Sequence, residues 1–268
     1  MISKSSISAV EVYKCQTGTH KQQEDFVAEE VPIALIYNGI SHAVMLATPQ
    51  DLEDFALGFS LAEGILDQPS QLYGIEIVHQ DQGIELHLEI ASERFHLLKD
   101  RRRSMAGRTG CGLCGAESLT QALRLPNQRI NAPNAYNVNA IQNSLAHMNA
   151  MQILQAKTGA THASAWVDIL GNILMVREDV GRHNALDKLL GARARSSLVE
   201  GFILTTSRAS YEMVQKTAVA GVAMLVAISA PTGLAIRLAE QTGITLVGFA
   251  RADQYVVYTH PQRLNMEM

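Results

Sequence analysis

The sequence predicts a mixed α/β protein, α+β overall: a larger unit with helices on both faces of a sheet, preceded by a smaller α+β unit. Three observations support this. Continuous apolar runs such as Phe202–Thr206 and Val222–Ile228 have the character of strands buried on both faces. Segments with apolar residues at helical spacing alternate with those runs. Nearer the N-terminus, Ile75–Val78 and Ile84–Ile90 alternate in the manner of half-buried strands.

Residues 1–25 read as weakly ordered. Val31–Tyr37, the Asn38-Gly39 pair and His42–Ala47 form a hairpin signal with a turn at positive φ. Thr48-Pro49 reads as an N-cap and first helical residue, and Leu52, Phe55, Ala56, Phe59, Ala62 and Leu66 recur at helical spacing, so a helix is predicted over 50–66. A Gln82-Gly83 turn separates the two alternating strands. Within the basic segment Lys99–Arg103, the Arg101–Arg103 run reads as a solvated face, with a docking or phosphate role as the alternative. The run from Ala106 to Gly115 holds four glycines, which exclude a regular element. Ala116–Leu125 reads as a short helix and 126–137 as a linker.

From Val138 the pattern changes. Ile141, Leu145, Met148 and Met151 mark a helix, with Gly159 beyond its end. Strands follow at Ala163–Ile169 and Ile173–Val176, joined at Gly171-Asn172. Residues 182–190 are helical, Phe202–Thr206 is a strand, 210–220 a helix and Val222–Ile228 a strand. Thr232–Gln241 is a helix stopped by Gly243, and Ile244–Phe249 and Val256–Tyr258 are strands. The expected division is 26–105 for the smaller unit, 106–137 for a cysteine loop and linker, and 138–268 for the larger unit.

Of the 268 residues, 47% are hydrophobic and 18% charged, which fits a folded globular chain. A net charge of −4 offers no global field for nucleic acid, so an anionic ligand must be held by local groups. Met1–Lys14 lacks a long apolar run, and no signal peptide is expected. The uncharged stretch Thr217–Ile236 is interrupted by Gly221, Pro231 and Gly233, and reads as a buried helix and strand rather than a membrane span. The expected compartment is the cytoplasm.

There are three cysteines, Cys15, Cys111 and Cys114, too few and too uneven for a disulfide framework. Cys111 and Cys114 sit in a glycine-rich loop. Arg108 is close in sequence, and a helix is predicted just after Cys114. Positive charge and helix N-termini lower a thiol's pKa and favour the thiolate. Four readings compete: a structural zinc site, a thioredoxin-like dithiol, inert buried cysteines, and a nucleophilic thiol that carries a group. Zinc lacks a second ligand pair, so no metal site is expected. A redox dithiol calls for the motif at the start of a βαβ unit.

Arg108-Thr109-Gly110-Cys111-Gly112-Leu113-Cys114-Gly115 resembles the cysteine loop of the FdhD family, the formate dehydrogenase accessory sulfurtransferases. The resemblance extends over Tyr37-Asn38-Gly39, Pro49–Glu53, Thr158–Ala163, Glu178–Lys188, Ser207–Lys216, Thr245–Phe249 and Val257–Pro261, in family order from about residue 27 to 264. It implies a sulfur carrier. Cys111 would hold a persulfide received from a cysteine desulfurase. It would pass the sulfur to Mo-bis(molybdopterin guanine dinucleotide), bound as substrate and mimicked by a guanine nucleotide, for use by formate dehydrogenase. Cys114 would resolve the persulfide or assist release. Phe249-Ala250-Arg251-Ala252-Asp253-Gln254 would contact the cofactor. A homodimer is implied. The larger unit would be cytidine-deaminase-like, but Ser164 stands where the glutamate of His-x-Glu would be, so deamination is not expected. Arg182, Ser207-Arg208, Thr232-Gly233 and Arg251, at strand ends, are candidates for phosphate contacts. Arg182 and Lys188 have a second reading, as ion-pair partners of Glu178, Asp179 or Asp187. The alternatives to a sulfur carrier are a non-catalytic cofactor chaperone and a dithiol oxidoreductase.

Overall fold

A computed structural model describes residues 5–106, 129–131, 136–197 and 200–265, with 101–106 described only as helix. The first element departs from expectation. Ile7–Gln16 (β1) and Thr19–Ala28 (β2) form an antiparallel hairpin turning at Gly18 (φ 80°). β2 is polar over most of its length, as at Lys21, Gln22 and Glu24, and β1 alternates only over the short stretch in which Val10 and Val12 are partly buried and Glu11 and Tyr13 exposed. The two-residue hydrophobic rhythm that reveals strands is therefore weak there.

The smaller sheet matches its expectation closely. Val31–Tyr37 (β3) and Ile40–Ala47 (β4) pair around Asn38 and Gly39, at φ 44° and 81°. Two consecutive positive φ angles are what a type I′ hairpin loop requires. Leu72–Gln80 (β5) and Gly83–Ile90 (β6) complete the order β4-β3-β6-β5, with β3 and β6 parallel. Gly83 belongs to the strand rather than to the turn. A Cβ there would lie 2.4 Å from the Pro32 carbonyl oxygen, so close passage of β3 explains the glycine.

Ile33, Leu35, Tyr37, Ile84, Leu86 and Leu88 point to one face and bury Phe55 and Phe59 of helix α1 (Leu52–Ala62) and Leu98 of helix α2 (Ser92–Ala106). The basic run Lys99–Arg103 lies in α2. Helix α1 starts later than its predicted cap: Asp51 is the N-cap, in the left-handed region at φ 52°. Thr48 is spent elsewhere. Its amide donates to Asp179 Oδ2 at 3.0 Å, and its hydroxyl accepts from the Val180 amide at 3.1 Å.

The larger sheet has the order β13-β12-β11-β10-β8-β9. Its strands are His162–Asp168 (β8), Ile173–Asp179 (β9), Gly201–Thr205 (β10), Met224–Ala227 (β11), Thr245–Gly248 (β12) and Val256–Val257 (β13). β10, β11 and β12 are parallel, and the flanking pairs are antiparallel. Helices cover both faces, as predicted. Ile203, Leu225 and Leu246 pack under helices α5 (Arg182–Ala194), α6 (Tyr211–Val219) and α7 (Gly233–Thr242). Their neighbours Phe202, Leu204, Met224, Val226 and Val247 face α3 (Val138–Met151) on the other side. Helix α4 (Ile153–Thr158) follows and is closed by Gly159 at φ 68°. Tyr136–Asn137 (β7) and Leu264–Asn265 (β14) form a short parallel pair.

The uncharged stretch from Thr217 divides among α6, β11 and α7, and Val222–Ala227 are buried. Among the described residues no helix is long and apolar enough to cross a membrane.

The two sheets are joined by α1 crossing α5 at very short range. A Cβ on Gly58 would lie 1.7 Å from the Asp187 carbonyl oxygen, and one on Gly191 would lie 1.9 Å from that of Asp54. Polar links flank the crossing. Arg177 reaches Asp54 at 2.7 Å, and Lys216 reaches both oxygens of buried Asp187 at 2.8 and 2.9 Å and Glu63 at 3.2 Å.

Candidate functional site at the C-terminal edge of the larger sheet

In open α/β sheets ligands bind beyond the carboxyl ends of the parallel strands. Here β9, β10 and β11 each run into a helix at that edge, so α5, α6 and α7 all present their N-termini there. Their first amides carry partial positive charge and lack helical acceptors. Neither Gly181 before α5 nor Ser210 before α6 provides a side-chain cap, whereas Thr232 before α7 accepts from the Ala235 amide.

Backbone bonds lace the connections together. The Thr232 amide donates to Ala209 O at 3.0 Å, and the Phe249 amide to Ser229 O at 3.2 Å. The Ala250 amide donates to Ala227 O at 3.1 Å.

Charged side chains add to this polarity. The buried Nε of Arg182 finds no hydrogen-bond partner, and among the described residues no ion pair engages its guanidinium. Arg208 and Arg251 are exposed on the neighbouring connections. His183 Nε2 lies 2.9 Å from Glu212 Oε2 and 3.4 Å from Ser210 Oγ. The hydrogen bond from His183 holds the Glu212 carboxyl below its ordinary range.

On the α4 side of the edge, Gln152, Gln155, Thr161, His162 and Thr206 line a pocket of about 400 Å³. Buried Glu178 shapes this wall by accepting from the Leu154 and Gln155 amides, both at 2.8 Å. Burial, and next the Arg182 charge, keep the His162 imidazole below its ordinary pKa. An unfolded histidine titrates near ~6.5. Below that pH the unfolded chain takes up a proton that the folded state resists, so stability falls with acid. Between pH 7.5 and 5.5 the wild type is expected to lose more stability than His162→Gln. Urea midpoints measure this, and equal losses in both would exclude it.

The predicted cofactor segment lies at the same edge, between β12 and β13. Phe249 adopts φ 50°, Ala250 is buried, and Arg251 to Gln254 are exposed. The Arg251 amide donates to Gln254 O at 2.7 Å, closing a tight turn. The structure therefore brings Arg182, Ser207-Arg208, Thr232-Gly233 and Phe249–Gln254 to one edge. Lys188 is absent from it and forms a buried ion pair with Asp179. Ser164 is wholly buried within β8, with an unpartnered Oγ. Sequence reasoning did not single out Gln155, Thr206 or Glu212. Their relevance comes from pairings across the fold that leave no local signature. Cys111 and Cys114 lie outside the described residues. Cys15 is exposed on the N-terminal hairpin, its sulfur 3.1 Å from His20 Nδ1.

Fold and edge together define the class: a mixed α/β protein whose larger sheet ends in a positively polarised rim. Comparison with known proteins makes this specific. The chain belongs to the FdhD/NarQ family, whose model matches residues 28–265. It is 58% identical over 262 residues to the sulfur carrier protein FdhD of Cupriavidus necator, covering 97% of this chain and 91% of that one. It is also 58% identical over 243 residues to the sulfur carrier protein FdhD of Variovorax paradoxus, covering 90% and 87%. The fold matches the crystal structure of a protein from Desulfotalea psychrophila described as a formate dehydrogenase accessory protein. That match has a TM-score of 0.74 at 22% identity, over 97% of this chain and 99% of that one.

Proposed function

We propose that this chain is a sulfur carrier that moves a persulfide sulfur from a cysteine desulfurase to a bis-molybdopterin guanine dinucleotide cofactor destined for formate dehydrogenase. The carrying observation is its identity of 55–58% to relatives named sulfur carrier protein FdhD. The polarised rim favours the cofactor half of the reading, because phosphates seek helix N-termini and arginine. Arg182, Arg208 and the starts of α5, α6 and α7 would take phosphates. Phe249–Gln254 would pass along the ligand, with mostly exposed side chains and a constrained backbone.

In the sulfur half, the Cys111 thiolate attacks the outer sulfur of the donor's persulfide. A new S–S bond forms at Cys111 as the donor's thiolate leaves, so the exchange needs no outside oxidant. Cys114 would resolve or release that sulfur. The setting would be the cytoplasm.

The test is intact-mass analysis after incubation with a cysteine desulfurase and cysteine. Wild type is expected to gain the mass of one or more sulfur atoms, lost on reduction, and Cys111→Ala is expected to gain none. Equal labelling of Cys111→Ala would refute the assignment of the carrier thiol. Full restoration of formate dehydrogenase by a variant lacking Cys111 and Cys114 would point instead to a cofactor chaperone.

A further inference from the structure

Asp179 and Lys188 form the ion pair buried most deeply among the described residues. Both side chains are wholly buried, and Lys188 Nζ lies 2.7 Å from Asp179 Oδ2. As a source of stability such a pair is weak, because desolvating two ions roughly cancels their attraction. Its hydrogen bonds suggest another use. Asp179 Oδ1 accepts from the Gly181 amide at 2.8 Å and from Asn184 Nδ2 at 3.1 Å. Asp179 Oδ2 accepts from the Thr48 amide at 3.0 Å, and Lys188 Nζ donates to Thr48 O at 2.9 Å. Thr48 Oγ1 accepts from the Val180 amide at 3.1 Å, and Asn184 Nδ2 also donates to Leu46 O at 2.8 Å.

These bonds converge on two short pieces of chain. One is the junction between β4 and α1, at Leu46 and Thr48. The other is the Val180–Gly181 turn, which leads straight into Arg182 and His183. The smaller sheet is thereby tied to the turn that carries Arg182 of the rim, which has no ion pair among the described residues.

We propose that Asp179, Lys188 and Thr48 are positioning residues for the rim: their buried lock fixes the turn that aims Arg182 at the diphosphate of a nucleotide ligand. The inference rests on the cofactor reading of the rim given above. None of the three residues touches the ligand in this scheme. They act through Arg182, whose planar guanidinium matches a phosphate only when correctly aimed.

Calorimetric titration of the full chain with GDP and with GMP tests this, using wild type, Arg182→Gln, Lys188→Met and Thr48→Val. Wild type is expected to prefer GDP, and Arg182→Gln to lose that preference. Lys188→Met is expected to weaken GDP binding roughly ten-fold while changing GMP binding little. Thr48→Val keeps the ion pair and removes only the Val180 amide's acceptor. It is expected to shift GDP binding the same way by about three-fold, and it carries the test should Lys188→Met fail to fold. An equal weakening of both nucleotides would indicate general loosening and would overturn the positioning role. Wild-type GDP binding by Thr48→Val, beside a weakened Arg182→Gln, would overturn it while leaving the cofactor reading intact. A wild type without preference for GDP, or an Arg182→Gln variant that binds GDP as wild type does, would overturn the cofactor reading at Arg182 and this inference with it.

Discussion

Alanine at Gly58 or at Gly191 is expected to destabilise the protein by about 3 kcal/mol or more, although both positions lie inside helices. Helix propensity alone gives the opposite sign, since glycine is worse than alanine by ~1 kcal/mol in a helix interior. Packing reverses it. The added methyl at Gly58 would sit 1.7 Å from the Asp187 carbonyl oxygen, and that at Gly191 would sit 1.9 Å from the Asp54 carbonyl oxygen. The obstacles are backbone atoms, so no rotamer change relieves them and α1 must move away from α5. That movement strains the links beside the crossing, Arg177 to Asp54 and Lys216 to Asp187. In a chain of this size, ~3 kcal/mol lowers the melting temperature by roughly 6–12 °C. The double variant is expected to cost less than the sum of the singles, because one separation of the helices accommodates both methyls. Urea midpoints measure all three. Unchanged or raised stability in either single variant would mean that the helices do not cross this closely.

Lys216→Met is expected to cost about 3–5 kcal/mol at neutral pH, because it strands a buried carboxylate. Asp187 is 1% exposed and Lys216 6%. Burial pushes the Asp187 carboxyl up to about 6, even with Lys216 opposing it. Burial would likewise lower Lys216, but Asp187 and Glu63 more than reverse that effect. Without the ammonium, the carboxyl's pKa rises further above that of an unfolded aspartate, ~3.9. The sign of the pH effect follows. Above the folded pKa the buried carboxylate is charged and destabilising. As pH falls through the folded pKa, the folded chain takes up a proton that the unfolded chain does not yet bind, which favours folding. The deficit of Lys216→Met relative to wild type is therefore expected to shrink between pH 7 and pH 5. The double variant Asp187→Leu/Lys216→Met is expected to recover most of the loss, since a volume-matched apolar pair often replaces a buried ion pair without penalty. A deficit that stays constant with pH, or a double variant as unstable as the single, would rule out a stranded carboxylate as the cause.

Much of the fold was legible because it is written in local patterns. The Asn38-Gly39 turn announced itself through residues that tolerate positive φ, and both adopt it. Gly243 is a legible helix stop and sits at φ above zero directly after α7, whereas Gly159, also at φ above zero, closes the separate short helix α4 and not the helix marked by Ile141 to Met151, which ends at Met151. The continuous apolar runs became β10 and β11, buried on both faces. Where reading failed, a distant partner had overridden a local preference. Thr48 looks like a helix cap, yet its amide and hydroxyl bond across the fold to Asp179 and Val180. The N-terminal hairpin was missed because its strands bury little and so carry little period-two signal.

The candidate site divides in the same way. The stretches at strand ends, among them Arg182, Ser207-Arg208 and Phe249–Gln254, could be named from the chain alone, because each strand and the element after it are adjacent in sequence. Their convergence could not, since it depends on strand order, and β8 lies beside β10 rather than beside a sequential neighbour on both sides. Sequence by itself determined the elements, the turns and the residues with reactive or charged chemistry, because those follow from propensity, periodicity and side-chain type. Only the tertiary structure decided that Lys188 turns inward to Asp179 while Arg182, six residues earlier, is left at the rim with no ion pair among the described residues. Burial and partners at long range set which charges are neutralised, and neither is encoded in the spacing of a single helix.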